Sequence, residues 1–259
     1  MSTLLPFDDA SARRIARTYT TPDIVGQREH TLAALDLAPG ERVLDVGTGP
    51  GQLLAAIADR VGPDGLAHGV DPSPAMAAMA RQRCADRPGV TVTDGGVDGP
   101  GSLPDGPFDV VVSTQVLEYV ADIPAALAEI HRVLRPGGRV LLLDTDWDSV
   151  VWQVRDRERH ARVLTAWEAH LVDPRLPRTL GPALRAAGFD AVRVDVVPLL
   201  NTAYARDTYS AGIAEMIAAF VPGRDGLTRA DADAWLADVR DRDDYFFSLN
   251  RYAFRAVRP

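Results

Sequence analysis

Apolar and polar positions along this 259-residue chain fall into two regimes. Between residues 42 and 146, short runs rich in Val and Leu (42–46, 65–71, 90–93, 108–113 and the stretch after Gly138) alternate with longer stretches such as 53–60 and 126–134. In these, apolar residues recur at helical spacing. Strands alternating with helices predict a parallel sheet covered on both faces, with a ligand crevice outside the carboxyl ends of the strands. The glycine loop after residue 46, Asp71, Val97 and residues 113–115 all lie at such ends and so converge on one crevice. Before this region, 8–37 reads as two helices. Asp8 caps one that runs through Tyr19, and Thr21-Pro22-Asp23 starts another that ends near Asp36. After it, 151–172 reads as an amphipathic helix and 174–178 as a loop. Residues 179–187 read as a helix stopped by Gly188, and 189–198 as a strand. Helices at 207–221 and 228–241, the second capped by Thr228, precede a closing strand rich in aromatic residues at 245–257. No internal repeat or low-complexity run appears.

The loop itself carries the chemistry. In Arg42-Val43-Leu44-Asp45-Val46-Gly47-Thr48-Gly49-Pro50-Gly51-Gln52-Leu53, an apolar strand ends at an acid and enters a turn with glycines at every second position. Reversing the chain beside a small molecule demands glycine, because a Cβ blocks both positive φ and close backbone approach. A dinucleotide loop would place its third glycine where Gln52 stands, and Asp45 would repel a pyrophosphate. An acid there suits a ligand with an ammonium group.

This loop resembles the first motif of the class I S-adenosylmethionine (SAM)-dependent methyltransferases. Further matches follow in order across roughly residues 30–150: Gly65-Leu66-Ala67-His68-Gly69-Val70-Asp71, Asp71-Pro72-Ser73-Pro74-Ala75-Met76, Phe108-Asp109-Val110-Val111-Val112-Ser113, Gln115-Val116-Leu117-Glu118-Tyr119-Val120, and Ala126 through Pro136-Gly137-Gly138-Arg139-Val140. The resemblance implies an α/β, Rossmann-like doubly wound seven-stranded sheet, mostly parallel with an antiparallel last strand. It also implies an N-terminal helical lid at 1–38, a SAM-binding domain at 39–259, and a helical insertion at about 204–242 that helps to cover the substrate. SAM is the implied cofactor. The implied cofactor residues are Asp45, Gly47, Thr48, Gly49 and Gly51 at the loop, Asp71 on the ribose, Pro72, Ser73 and Met76 at the next turn, Val97 and Asp98 at the adenine, and Gln115 beside the sulfonium. Tyr19 and Arg28 of the lid are expected over the cofactor, Arg28 facing its carboxylate. One position departs from the family pattern. After the third strand the chain reads Asp94-Gly95-Gly96-Val97-Asp98, so Gly96 stands where an Asp takes the adenine amino group, and Asp98 or Asp94 substitutes.

The catalytic candidates are Tyr19, Asp146 and His160; those for the substrate pocket are Trp147, Asn201, Tyr204 and Phe246. Asp146, Trp147 and Asp148 follow the fifth strand, where a Trp can stack on a flat substrate and an acid can accept a proton. Capping and core packing are the competing readings for this trio, and a surface position is the competing reading for His160. Composition narrows the chemistry further. The net charge of −8 and the absence of any basic stripe argue against a nucleic-acid partner. All 28 basic residues are Arg, which excludes Schiff-base and P-loop lysines. Cys84 is the only cysteine and no metal spacing is found, so no metal is expected. No leader segment and no apolar run of membrane-spanning length is visible, and a cytoplasmic location without a membrane partner is expected. The expected reaction is in-line methyl transfer to an O, N or C atom of a small molecule such as a natural product or quinone-like metabolite, with a homodimer as one possible assembly. The rivals are a SAM-binding enzyme that cyclises or decarboxylates its substrate and a nicotinamide-dependent oxidoreductase.

Overall fold

A computed structural model describes residues 16–259. The expected helix from Asp8 lies outside the described residues as far as position 15; residues 16–18 are helical and Tyr19 follows in a turn. Helix α1 (Pro22–Leu35) begins with proline at its first position, as Thr21-Pro22-Asp23 predicts. Asp23 then ties this helix to a distant part of the chain, accepting from the Tyr209 amide at 2.7 Å.

The alternating region folds as its pattern predicts. It contains β1 (Arg42–Val46), α2 (Gln52–Val61), β2 (Leu66–Asp71), α3 (Pro74–Arg83), β3 (Val90–Asp94), β4 (Phe108–Thr114), α4 (Ile123–Val133) and β5 (Leu134–Thr145). The four pairings β3–β2, β2–β1, β1–β4 and β4–β5 are all parallel. Successive side chains of a strand point to opposite faces, so each central strand feeds two cores. Leu44, Val111 and Leu142 pack beneath α4, whereas Val43, Val110, Val112 and Leu141 pack against Leu32 and Leu35 of α1 and Leu54 and Ile57 of α2. Burying each such side chain contributes roughly 1.5–3 kcal/mol before the entropy of ordering is subtracted. The Pro136-Gly137-Gly138 turn is absorbed into β5 as an irregularity. Gly137 has φ 72°, its N–H donates to the Arg258 carbonyl, and the register against β4 shifts between Phe108 and Val110.

Beyond β5 the structure departs from the sequence reading in detail. Residues 151–172 are not one helix. Val151–Trp152 form a two-residue strand, β6, opposite Phe247 and Ser248, and α5 spans only Arg157–Glu168. The reason is local: Asp156 accepts from the Arg159 amide at 2.9 Å and fixes the helix start there, while Trp152 is buried among Trp167, Trp235 and Phe247. Helix α6 (Pro177–Ala186) and strand β7 (Asp190–Asn201) follow, then α7 (Tyr209–Phe220) and α8 (Arg229–Arg240), and β8 (Phe247–Val257) closes the chain. Thr228 and Asp231 form a reciprocal capping box at α8. β8 runs antiparallel between β5 and β7, and the mixed sheet has eight strands because β6 extends it by one short segment. The helices α5, α7 and α8 share an aromatic core with Trp147, Trp152, Trp167 and Trp235.

Candidate functional site

β1 delivers Asp45 and the glycine loop to the crevice. Gly47, Gly49 and Gly51 all have positive φ, at 72°, 53° and 80°. Two of them also answer to space. A Cβ on Gly47 would stand 2.1 Å from Val116 Cγ2, and one on Gly51 2.8 Å from Ala80 Cα. The loop is pinned from behind: the amides of Gly47 and Thr48 both donate to the Val70 carbonyl. Asp71, at the tip of β2, braces the front, accepting from the Gly49 amide at 2.8 Å and the Ser73 amide at 2.9 Å. A carboxylate offers about four lone-pair sites, so about two remain for a ligand. Burial raises the Asp71 carboxyl above its ordinary value, and the two amide bonds oppose that rise.

Asp45 is 1% exposed and accepts from the Thr48 hydroxyl at 2.8 Å. Burial lifts its carboxyl from 3.8 to about 7; the Thr48 bond works against this and the negative field of Asp71 adds to it.

The loop opens onto a cleft of about 510 Å³, lined among others by Tyr19, Gln27, Arg28, Thr48, Gly49, Thr114 and Gln115. Arg28 donates to the Tyr19 carbonyl at 3.2 Å and makes no ion pair among the described residues. Burial lowers the pKa of its guanidinium, yet it stays cationic at neutral pH. Burial pushes the Tyr19 hydroxyl up to about 12, so it remains a proton donor. Gln115 adopts φ 59°, a left-handed turn, at the tip of β4. Its side-chain oxygen accepts from Thr145 at 2.8 Å, while its buried Nε2 has no protein partner.

Ser73 caps α3 through the Met76 amide, Met76 is buried and Pro72 is exposed. Val97 is buried and Asp98 is exposed. The Asp98 carboxylate stands where a side chain at 96 would project, 2.8 Å from the place of such a Cβ. Asp94 is instead drawn to Arg81 at 2.6 Å.

The residues expected on the substrate side do not line this cleft. Asp146 is gripped by Arg178 through both carboxylate oxygens, at 2.9 and 3.0 Å, and caps the turn Trp147–Ser149. The Trp147 indole turns inward and donates to Glu118 at 3.0 Å. His160 accepts from the Trp235 indole at 3.0 Å between α5 and α8, and burial lowers its basicity. Asn201 donates to Asp23, the Tyr204 ring meets that of Tyr245 at 5.8 Å, and Phe246 is 40% exposed.

Sequence reasoning missed the layer behind the cleft. Glu118, Asp144 and Arg251 are almost wholly buried. Arg251 donates to Gln27 and lies over the Tyr209 ring at 4.7 Å. Asp144 accepts from the amides of Val116 and Glu118. Burial raises both acids, and the charge of Glu118 adds to the rise of Asp144, so the pair retains a proton far above the ordinary carboxylate range. The signal for these residues was a charge inside an apolar run, in Val116-Leu117-Glu118 and in the aromatic closing strand.

Residues 44–142 match the family described as a methyltransferase domain. The chain is 32% identical over 201 residues to nocamycin O-methyltransferase of Saccharothrix syringae, covering 70% of this chain and 71% of that one. It is 40% identical over 117 residues to demethylmenaquinone methyltransferase of Symbiobacterium thermophilum, covering 44% and 46%. The nocamycin enzyme aside, the chain spans about half the length of the curated relatives it matches. The structure of phosphoethanolamine N-methyltransferase 2 of Haemonchus contortus, solved with SAM, superposes with a TM-score of 0.64 at 20% identity over 98% of this chain and 58% of that one. At that identity the likeness speaks for the fold alone. The chain belongs to the class I SAM-dependent methyltransferases.

Proposed function

We propose that this protein transfers a methyl group from SAM to an O, N or C atom of a small molecule. One observation carries the reading: the glycine loop and an arginine without an ion-pair partner among the described residues line a single cleft, and two buried strand-tip acids, Asp45 and Asp71, bond to that loop through Thr48 and Gly49. The residues fit the donor. Arg28 has its guanidinium free for an amino-acid carboxylate. Asp45 with Thr48 suits the ammonium end, and the remaining lone pairs of Asp71 suit the ribose hydroxyls. Val97 and Asp98 are assigned to the adenine edge, a reading supported by the Asp98 carboxylate lying beside the space that Gly96 leaves open.

SAM supplies a sulfonium-activated methyl when bound. The chain's own work is to orient it and exclude water, and such positioning contributes up to about 7–11 kcal/mol in favourable cases. Among the described residues, those from 16 to 38 act as the lid, with Tyr19 closing the cleft and offering a proton rather than taking one. Asp146, held by Arg178, and His160, held by Trp235, serve the cover. The net charge of −8 favours a free metabolite over nucleic acid, and the reading includes a cytoplasmic location. No helix among the described residues is long and apolar enough to cross a membrane.

Isothermal titration with SAM, S-adenosylhomocysteine and NADH tests the donor; binding of the first two alone is expected. Release of S-adenosylhomocysteine on incubation with phenols, hydroxyquinones, amines and carboxylic acids tests the transfer. Failure of both SAM and S-adenosylhomocysteine to bind refutes the proposal.

A further inference from the structure

The strand β7 is a long sheet edge left open. Among the described residues it pairs only with β8, and its other side meets no strand. Proteins usually blunt such an edge with charge, bulges or a covering element. Here the protection is sparse: an irregularity between Asp190 and Arg193, and Pro198, which an edge strand tolerates because it lacks a donor. Meanwhile Val194 and Val196 are each 53% exposed and Leu200 is 57% exposed. Val151 joins them on the same face, since it and Leu200 both pair with Ser248. A contiguous apolar stripe beside an unpaired edge marks a protein interface.

The charges on the other face point to the occupant. Arg193 makes no ion pair among the described residues, and it stands directly opposite Arg255 in the β7–β8 register. Like charges directly opposite are destabilising. Two positions along the same face is Asp195, which reaches diagonally to Arg255 at 2.7 Å. An antiparallel pairing of β7 with itself, centred on Val194, places each Arg193 opposite the partner's Asp195. The same register sets Val194 against the partner's Val194 and Val192 against the partner's Val196. An Arg and an Asp flanking one residue make this strand complementary to its own two-fold copy.

We infer that the β7 edge is a homodimer interface, in which two copies of this chain join their sheets antiparallel about Val194 and pair Arg193 with the partner's Asp195. Such an isologous contact closes on itself rather than propagating into a filament.

Sedimentation velocity of the full chain at micromolar concentration tests this, with circular dichroism to verify folding of each variant. The expected species has twice the 27.9 kDa chain mass. Asp195→Arg and Arg193→Asp each place like charges across the two-fold and raise the dimer dissociation constant about tenfold or more. The double variant Arg193→Asp/Asp195→Arg restores opposite charges and recovers the dimer. A second, independent readout is Val194→Cys. Residues facing each other across an antiparallel pair lie about 4.5–5.5 Å apart at Cα, within disulfide range. Under oxidising conditions this variant therefore crosslinks, whereas Val192→Cys, which faces Val196, does not. A monomer at every concentration overturns the proposal, whether a different partner or the chain's own N-terminal segment occupies the edge. A dimer unaffected by either single charge reversal overturns it too, as does a double variant that fails to recover.

Discussion

Asp45→Asn separates what the buried acid does for the fold from what it does for the ligand. In the native state the carboxyl holds its proton up to about pH 7, against an ordinary value of 3.8, because burial penalises the anion. The unfolded chain releases that proton earlier, so between about pH 4 and 7 the native state binds more protons and stability falls as pH rises. Each tenfold is worth about 1.4 kcal/mol, so the full span sets a ceiling of about 4 kcal/mol. Asn removes the titration and keeps an oxygen for the Thr48 hydroxyl. Urea denaturation of parent and variant at pH 5 and pH 8, extrapolated to water, reads the difference. The variant is expected to gain about 1–3 kcal/mol on the parent over that interval, and to bind SAM more weakly at pH 8, where the lost charge faced an ammonium. Parallel stability curves for the two proteins would refute the argument that Asp45 is a desolvated acid kept for its ligand.

Asp71→Ala removes both the loop brace and the ribose acceptor, and calorimetry should show SAM binding weakened by roughly 1–3 kcal/mol. Arg28→Met should weaken SAM and S-adenosylhomocysteine by about 1.5–3 kcal/mol but leave methylthioadenosine, which has no carboxylate, nearly unchanged; equal losses for all three would assign Arg28 to packing. Gly47→Ala should abolish donor binding in a chain that still folds or folds weakly, since its methyl would overlap Val116 at 2.1 Å and the backbone there has φ 72°. Trp147→Phe strips Glu118 of its indole donor and should destabilise the protein by about 1–3 kcal/mol above neutral pH, and by less in acid where Glu118 is protonated.

The sequence made the cofactor half readable because its constraints are backbone constraints. Positive φ at Gly47 and Gly51, an acid at a strand tip and a Ser-Pro helix start each leave a mark in residue type. The substrate half depends on side-chain direction, which residue type does not encode. Trp147 and Asp146 sit at a strand's carboxyl end as expected, yet one short turn rotates the indole onto Glu118 and hands the carboxylate to Arg178. The partners that decide this lie 29 and 32 positions away, beyond the reach of local pattern. The same holds for Arg251, whose meaning appears only when Gln27 is brought beside it. Strand β6 was hidden because two residues carry no period.

The bond between Gln27 and Arg251 joins positions 224 apart, and Asp23 reaches 186 residues to the Tyr209 amide. Helix α1 is therefore tied to two distant segments, α7 and β8, besides the sheet and α2 on which it packs. A fragment that stops before α7 keeps the Leu32 and Leu35 contacts of α1 with the sheet and α2, but it loses the ties that hold Asp23 and Gln27, the latter a residue of the cleft wall.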